Sequence, residues 1–227
     1  MRSGQQAKRG QMGDVIQLSE RREALRRRGM GRQRERSRAQ FFFDLSCPFT
    51  YLVAERVERA FDEVIWTPAS SDALRRSCLA DDDVAAAAVR RAAEERAAEL
   101  RLPLVWPEHF PTEVSAAMRV AVCASENGRG AAFVLAATRL AYCGGFDLDD
   151  PEILAEAAAA AGVVLDDCLE AARDAGRDGE IEASGRALLA AGADRLPALR
   201  VGRALYWGER RVGEALVAAR VARVAHS

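Results

Sequence analysis

The sequence predicts an α/β fold in which strands at the two ends of the chain enclose a long helical insertion. Three observations support this prediction. An aromatic run over residues 40–45 leads directly into a helical pattern that starts at Pro48. Helical patterning then dominates from residue 72 to about residue 191. Strand-like segments return over residues 196–207, divided by a two-residue turn.

The first 38 residues differ in composition from the rest of the chain. Residues 1–39 carry 12 Lys/Arg and 4 Asp/Glu, whereas the remainder is net acidic. Such a polar segment buries too little apolar surface to offset the entropy of ordering, so residues 1–38 are predicted to be a disordered basic tail. An electrostatic arm for nucleic acid or for an acidic partner is the alternative interpretation of the tail. The acidic remainder does not favour nucleic-acid binding.

Cysteine and histidine usage argues against a metal site. The five cysteines are scattered and form no CxxC pair, which is untypical of a disulfide framework or a zinc site. Two histidines, His109 and His226, are too few for a histidine-based site, so no metal is expected. The cysteines are Cys47, Cys78, Cys123, Cys143 and Cys168.

Hydropathy indicates no association with a membrane. No apolar stretch approaches the roughly 20 residues that a spanning helix needs. The N-terminus shows no apolar segment followed by a cleavage site, so a cytoplasmic location is expected.

The first structural unit is predicted to be strand–helix–strand, within residues 39–70. Residues 40–45 have the pattern of a buried strand. Cys47 then occupies the N-cap position of a helix and Pro48 its first turn, where a missing N–H has no cost. A second strand follows over residues 63–68, so we expect a parallel crossover. The helix carries one apolar stripe, made of Phe49, Leu52, Val53, Val57, Ala60 and Phe61.

The insertion is predicted to occupy residues 71–194 and to be helical throughout. Thr112 is expected to cap one helix, and the Asp150-Pro151 pair to start another. Gly144-Gly145 and Gly162 are expected to end helices. The predicted helices cover residues 83–100, 112–127, 130–143, 150–162, 166–173 and 178–191.

The last unit, residues 195–227, is predicted to be a hairpin and a closing helix. A strand over residues 196–201 reaches a turn at Gly202-Arg203, and residues 204–207 form the return strand. Pro197 stands at the head of the first of these strands, where proline is tolerated. Apolar residues from Val212 onward indicate the final helix.

Cys47 is the strongest candidate for chemistry. The unpaired N–H groups and the dipole of a helix N-terminus stabilise a thiolate. Thr50, at the third helical position, is a candidate hydroxyl donor to that sulfur. The hypothesis is nucleophilic catalysis by the Cys47 thiolate. The alternative is that Cys47 is a small buried apolar residue, as free cysteines often are.

The motifs and their order resemble the DsbA-like branch of the thioredoxin fold. The segment Phe-Asp-Leu-Ser-Cys-Pro-Phe-Thr-Tyr-Leu over residues 43–52 is similar to the opening motif of 2-hydroxychromene-2-carboxylate isomerases and kappa-class glutathione transferases. Leu196-Pro197 stands where these proteins have a cis-proline, and Tyr206-Trp207-Gly208 where they have Phe-Trp-Gly. The resemblance implies a thioredoxin-like fold with a large helical insertion.

The resemblance also implies a function. DsbA proteins have Cys-Pro-x-Cys, whereas here the motif is Cys-Pro-Phe-Thr, which implies a thiol-disulfide oxidoreductase with a single nucleophilic cysteine. One alternative is an isomerase or transferase that uses glutathione or another low-molecular-weight thiol on an aromatic small molecule. A second is a non-catalytic binding module. The expected partners are accordingly a small-molecule thiol, an aromatic substrate or a protein disulfide, and the resemblance implies a homodimer.

The predicted site combines the two ends of the chain. Cys47 and Thr50 are assigned to catalysis, and the other residues to binding of a substrate or thiol. Two positions depart from the glutathione-binding pattern, since Glu113 stands in place of an asparagine and Arg210-Arg211 in place of Asp-Arg. The predicted binding residues are Ser46, Pro48, Phe49, Leu196, Pro197 and Trp207.

Overall fold

The computed structural model describes residues 38–74 and 83–224. The predicted basic tail therefore lies outside the described residues, apart from Arg38. Cys78 and His226 also lie outside them.

The four strands form one mixed sheet with the order β2-β1-β3-β4. They are β1 (Arg38–Phe43), β2 (Glu63–Pro68), β3 (Ala198–Val201) and β4 (Ala204–Trp207). β1 and β2 are parallel, as expected for a strand–helix–strand unit. β3 is antiparallel to both β1 and β4. The N-terminal and C-terminal parts of the chain therefore meet in the middle of the sheet.

β1 begins and ends two residues earlier than the sequence predicts. The predicted strand covers residues 40–45, but the chain leaves the sheet after Phe43. The Asp44 carbonyl accepts a hydrogen bond from Cys47 N at 3.2 Å, and this bond closes a turn. Asp44 and Leu45 belong to that turn, although Leu45 is as buried as a strand residue.

Eight α-helices lie within the described residues. Their boundaries agree with the predicted ones to within a few residues, and most of them lie between β2 and β3. A π-helical turn, Leu140–Gly144, continues α4, and a 3-10 turn, Ala175–Arg177, precedes α7. The helices are α1 (Pro48–Ala60), α2 (Asp83–Leu100), α3 (Ser115–Glu126), α4 (Gly130–Arg139), α5 (Pro151–Ala161), α6 (Leu165–Arg173), α7 (Asp178–Ala190) and α8 (Glu209–Val224).

The prediction that Thr112 caps α3 is wrong. The Thr112 hydroxyl donates instead to the carbonyl of His109 at 3.0 Å. The Glu113 carboxylate accepts hydrogen bonds from the N–H groups of Val114 and Ser115, at 3.1 and 3.2 Å. A carboxylate accepts more strongly than a hydroxyl at the positive end of a helix, which explains why Glu113 occupies this role. Asp150 caps α5 as predicted, accepting from Glu152 N at 2.8 Å.

Alternating residues of β1 contact two different apolar layers. Phe41 and Phe43 are fully buried against Trp66 and residues of α1 and the insertion. Phe42 points to the opposite face of the sheet, where Leu188 of α7 covers it. The sheet is therefore buried on both sides, and the helical insertion shares a continuous core with it. This arrangement confirms the predicted α/β class with a helical insertion. None of the described helices is long and apolar enough to cross a membrane.

Candidate active site around Cys47

Cys47 lies at the N-cap of α1, where the sequence places it. Its backbone is extended (φ −87°, ψ 113°), and Pro48 occupies the first turn of the helix. The residue is fully buried, with 0% of its surface exposed. Its Sγ lies 3.8 Å from the carbonyl oxygen of Leu196, the acceptor toward which a protonated thiol points.

Leu196 reaches Cys47 because of the pairing between β1 and β3. Phe42 is paired with Ala198 in this antiparallel ladder, so the residues after β1 run beside those before β3. Leu196 and Cys47 are 149 residues apart in the chain. The Leu196–Pro197 peptide is cis, and the Pro197 carbonyl accepts a hydrogen bond from Gly208 N at 2.8 Å. The two ends of the predicted site are thus in contact.

Thr50 has a buried hydroxyl to which none of the described residues is hydrogen-bonded. Its N–H donates to the Cys47 carbonyl at 3.0 Å, which forms the first turn of α1. Its Oγ1 has no hydrogen-bond partner among the described residues. A side chain at the third helical position projects back toward the N-cap residue, as in a capping box. A buried hydroxyl without a partner is costly, so its retention needs an explanation.

Asp44 is a residue of this site that sequence reasoning missed. It is only 6% exposed, and Oδ1 accepts hydrogen bonds from Ser46 N at 2.9 Å and from Ser46 Oγ at 2.6 Å. Oδ2 accepts from Ser71 N at 2.9 Å. The signal available in the sequence is an aspartate two residues before a serine, at the end of a buried strand, which is typical of an Asx turn. Ser46, predicted to bind substrate, holds the turn that positions Cys47.

Two tyrosines connect the insertion to the cysteine-bearing turn. Tyr142 donates a hydrogen bond to the Ser46 carbonyl at 2.6 Å, and its ring stacks on that of Tyr51. Tyr51, one turn after Cys47, donates to the Pro103 carbonyl at 2.7 Å, and its oxygen lies 2.9 Å from Cys143 Sγ. Burial raises the pKa of Tyr51, so this hydroxyl stays protonated. The insertion therefore fixes the loop from the side opposite to β1.

A cleft of about 790 Å³ opens beside Leu196, and we call it the arginine cleft. Three predicted binding residues, Phe49, Leu196 and Trp207, line it. Cys47 is not among the lining residues, but Leu196, which contacts its Sγ, is. The charged lining residues are Arg96, Arg195, Arg210, Arg211, Glu95 and Glu209.

Buried Glu209 organises one wall of the arginine cleft. Its side chain is 3% exposed and accepts two hydrogen bonds from Arg96, at 2.5 and 3.0 Å. Arg56 of α1 adds a third contact at 3.2 Å. Glu209 follows Gly208 directly, so β4, α1, α2 and α8 are held together at this point.

A second cleft, of about 480 Å³, lies beside Ser46, and we call it the carboxylate cleft. The Asp178 carboxylate pairs with Arg119 at 2.6 Å, and this guanidinium holds the pKa of Asp178 below its usual range. Hydrogen bonds from Ser115 likewise lower the pKa of Glu113. Asp44 and Ser46, just before Cys47, therefore line an acidic cleft, and Phe49, just after it, lines a basic one. The acidic lining residues are Asp44, Asp72, Glu113, Asp178 and Glu182.

His109, the one histidine in the described residues, lines neither cleft. Its side chain is 77% exposed, and its Nδ1 lies 2.8 Å from Asp147, which raises the pKa of His109. The described residues contain no group of three or more His, Cys, Asp or Glu side chains that could hold a metal ion. Burial raises the pKa of Cys168 and of Cys123, which disfavours their thiolate forms.

Comparison with known proteins explains the architecture just described. Residues 39–217 match the family model of the DSBA-like thioredoxin domain. The chain belongs to this family. The predicted resemblance to DsbA-like proteins is therefore confirmed.

Solved structures with the same fold have low sequence identity to this chain. A 2-hydroxychromene-2-carboxylate isomerase superposes with a TM-score of 0.69 at 15% identity, over 83% of this chain and 98% of that one. A probable DsbA oxidoreductase from Streptomyces coelicolor superposes with a TM-score of 0.60 at 22% identity, over 80% of this chain and 89% of that one. A comparison with curated protein sequences finds no match. The structural neighbours thus include both an isomerase and an oxidoreductase.

Proposed function

We propose that the protein catalyses thiol–disulfide exchange through the single thiol of Cys47. One observation carries the proposal. The Cys47 sulfur lies at the N-terminus of α1 and faces the backbone carbonyl of Leu196 at 3.8 Å. Cys47 lies at the positive end of the α1 dipole, which favours a thiolate over a thiol, whereas Pro48 has no N–H and the Thr50 N–H is bonded to the Cys47 carbonyl.

The exchange has two steps and needs no second cysteine in the chain. Cys47 loses its proton to solvent, and the thiolate attacks one sulfur of a disulfide RS–SR. The S–S bond breaks, RS⁻ leaves and takes a proton, and Cys47–S–S–R remains. A thiolate R′S⁻ from solution then attacks the R sulfur, so RS–SR′ is released and Cys47 is regenerated. Because position 50 is threonine, the motif supplies no resolving thiol, and the second thiol is taken from solution.

Thr50 is proposed to stabilise the thiolate. Its hydroxyl is buried, has no partner among the described residues and lies one helical turn from the N-cap. A negatively charged sulfur at the N-cap would give this hydroxyl an acceptor. Asp44 and Ser46 act on the reaction only by holding the turn before Cys47.

Access to the sulfur requires a local displacement. Cys47 has no exposed surface, and Leu196 separates its Sγ from the arginine cleft. A disulfide that enters the cleft therefore reaches Sγ when the Leu196 segment or the first turn of α1 moves. We expect the reaction to be slower than that of an exposed thiol, and the rate to reach a plateau at high disulfide concentration.

The test is adduct formation at Cys47. The protein is incubated with oxidised glutathione or with bis(hydroxyethyl) disulfide, and intact mass and peptide mapping locate the adduct. One mixed disulfide on Cys47, released by excess thiol, is expected. Cys47→Ser should lose it, whereas the matched control Cys143→Ser, which changes a partly exposed cysteine of the insertion, should retain it. An adduct that persists in Cys47→Ser, or none in the wild type, contradicts the proposal.

The complete burial of Cys47 favours a second candidate, a binding module without covalent chemistry. In this case Cys47 is an apolar core residue at the start of α1. Reversible binding of reduced glutathione or of an aromatic ligand, unchanged in Cys47→Ala and without any adduct, would support this candidate. Binding of reduced thiol that depends on Cys47 or Thr50 would instead favour the thiol-dependent isomerase or transferase.

A further inference from the structure

We infer that the arginine cleft binds an anionic group of the substrate, so the preferred disulfides are small molecules that carry carboxylates. The inference deepens the proposed function, on which it rests for the identity of the reacting sulfur. It concerns the open space next to Leu196, which the Cys47 chemistry alone does not explain.

The balance of charge in the cleft is positive. Four arginines and two glutamates line it. Both carboxylate oxygens of Glu209 accept hydrogen bonds from Arg96, and Arg56 pairs with one of them. The three side chains form an ion-pair cluster around a buried carboxylate. Three arginines therefore remain, Arg195, Arg210 and Arg211, against Glu95 alone.

Arg211 is the most available of these cations. None of the described residues forms an ion pair with it. Its guanidinium instead lies over the Trp207 ring, 4.9 Å from the ring centroid. This stacking holds the planar group at the cleft wall while leaving its N–H edge for a ligand. Such a fork suits a carboxylate, which it can bind through two parallel hydrogen bonds.

Arg195 and Arg210 have only partial neutralisation. Arg195 is held by its neighbour Asp194 through two hydrogen bonds, at 2.8 and 3.3 Å, and about half of its side chain remains exposed. Arg210 approaches Glu99 at 3.4 Å, and 72% of its side chain is exposed. A cleft of 790 Å³ also has room for a small ligand between these arginines and Leu196. A carboxylate held there would place the rest of a small disulfide toward the segment that covers Cys47 Sγ.

The test compares three disulfides of similar size and different charge. Dithiodipropionate is anionic, bis(hydroxyethyl) disulfide is neutral and cystamine is cationic. The rate of adduct formation at Cys47 is measured for each disulfide at low ionic strength. This rate is divided by the rate at which the same disulfide reacts with mercaptoethanol, which corrects for the intrinsic reactivity of the disulfide. We expect the normalised rate to be highest for the anionic disulfide, intermediate for the neutral one and lowest for the cationic one. Added salt should reduce the preference, because exposed charges are screened.

Variants assign the preference to the cleft. In Arg195→Gln/Arg211→Gln, the anionic-to-neutral rate ratio should fall roughly fivefold, as expected for losing two partly exposed charges. Arg211→Lys keeps the positive charge, so it should lower the anionic-to-neutral rate ratio less than the double substitution does. The matched control is Arg203→Gln, in the turn between β3 and β4 and outside the cleft, which should leave the ratio unchanged. A ratio near one in the wild type, or one unaffected by the double substitution, overturns the inference.

A binding measurement separates this inference from the proposed function. Calorimetry with thiodipropionate, a thioether that cannot exchange, is performed on the wild type and on Cys47→Ser. Binding that is lost in Arg195→Gln/Arg211→Gln supports the cleft even if Cys47 forms no adduct, a result that would remove only the exchange reaction. Adducts at Cys47 without charge preference and without thiodipropionate binding would remove only the cleft assignment.

Discussion

The carboxylate cleft and the arginine cleft are each lined by chain neighbours of Cys47, but they use their charged groups differently. Asp44, Glu113 and Asp178 each accept hydrogen bonds from the protein itself. In the arginine cleft, Glu209 is similarly occupied, whereas Arg211 has no carboxylate partner among the described residues. The carboxylates of the carboxylate cleft therefore already have protein donors, whereas the arginine cleft retains N–H donors that a ligand could use.

This difference distinguishes charged groups that stabilise the fold from charged groups that remain available to bind a ligand. A carboxylate whose lone pairs are filled by backbone N–H groups stabilises the local fold and gains little from a ligand. A guanidinium fixed only by an aromatic ring can exchange its bound water for an anion at small cost. The comparison thus predicts that substitutions in the carboxylate cleft affect stability, and that those in the arginine cleft affect binding.

The largest effect is expected for Asp44→Ala. This substitution removes the acceptor of three hydrogen bonds in a buried turn, so the free energy of unfolding should fall by roughly 2–4 kcal/mol. Urea denaturation measures the change. The matched control is Glu182→Gln, a substitution in the same cleft at an exposed position paired only with Arg186, which should change stability by less than about 0.5 kcal/mol. Equal effects of the two substitutions would contradict a structural role that is specific to Asp44.

Thr50→Val tests the buried hydroxyl in the first turn of α1. Valine has the shape of threonine without the hydroxyl, so removal of an unpaired buried donor should leave stability unchanged or raise it by roughly 1 kcal/mol. If the hydroxyl stabilises a Cys47 thiolate, the rate of adduct formation should fall about tenfold at the same time. Stopped-flow adduct kinetics and urea denaturation supply the two values. Thr50→Ser retains the hydroxyl and should retain the rate. Loss of stability with no change in rate would assign Thr50 to packing alone.

Local sequence chemistry was sufficient to predict most of the fold. The Cys47-Pro48 start of α1 depends on neighbouring residues, and it was predicted correctly because capping is a local property. The order of strands and helices followed from periodicity. The end of β1 was misplaced because the Asp44 carbonyl and carboxylate accept from Cys47 N and Ser46 N and close a turn. The cap of α3 was misplaced because the Glu113 carboxylate accepts from the first N–H groups of that helix.

The surroundings of the cysteine depend on distant residues and could not be predicted in the same way. Asp44 is held partly by Ser71, and Tyr142 reaches the turn from 96 residues away. The arginine cleft combines α2 with the segment that starts at Arg195, roughly a hundred residues later. A single sequence contains no spacing rule that brings these side chains together. Of the residues far from Cys47 in the chain, only Leu196, Pro197 and Trp207 were therefore assigned to the site, through the resemblance.

Arg211→Gln should have a small effect on stability. The cation–π contact with Trp207 is partly exposed and is worth about 0.5–1 kcal/mol at most. In contrast, Arg96→Gln breaks a pair with buried Glu209 and should cost more than Arg211→Gln. Thermal denaturation of both variants gives the comparison. If Arg211→Gln is as destabilising as Arg96→Gln, Arg211 has a structural role and the contrast between the clefts is lost.

The smallest effect is expected for the pH dependence of Glu113→Gln. Hydrogen bonds from Ser115 lower the pKa of Glu113 in the folded protein, so its carboxylate binds fewer protons there than in the unfolded chain. The resulting stabilisation is present above the ordinary glutamate pKa of about 4.3 and disappears as the pH falls through the lower, folded-state value. The stability difference between wild type and Glu113→Gln should therefore shrink as the pH falls below the ordinary glutamate pKa of about 4.3. Glu152→Gln, an exposed glutamate in the first turn of α5, serves as the control for general acid effects. A difference that stays constant or grows toward low pH would show that the Glu113 carboxylate is not a cap, and would leave one member of the carboxylate cleft free for a cationic ligand.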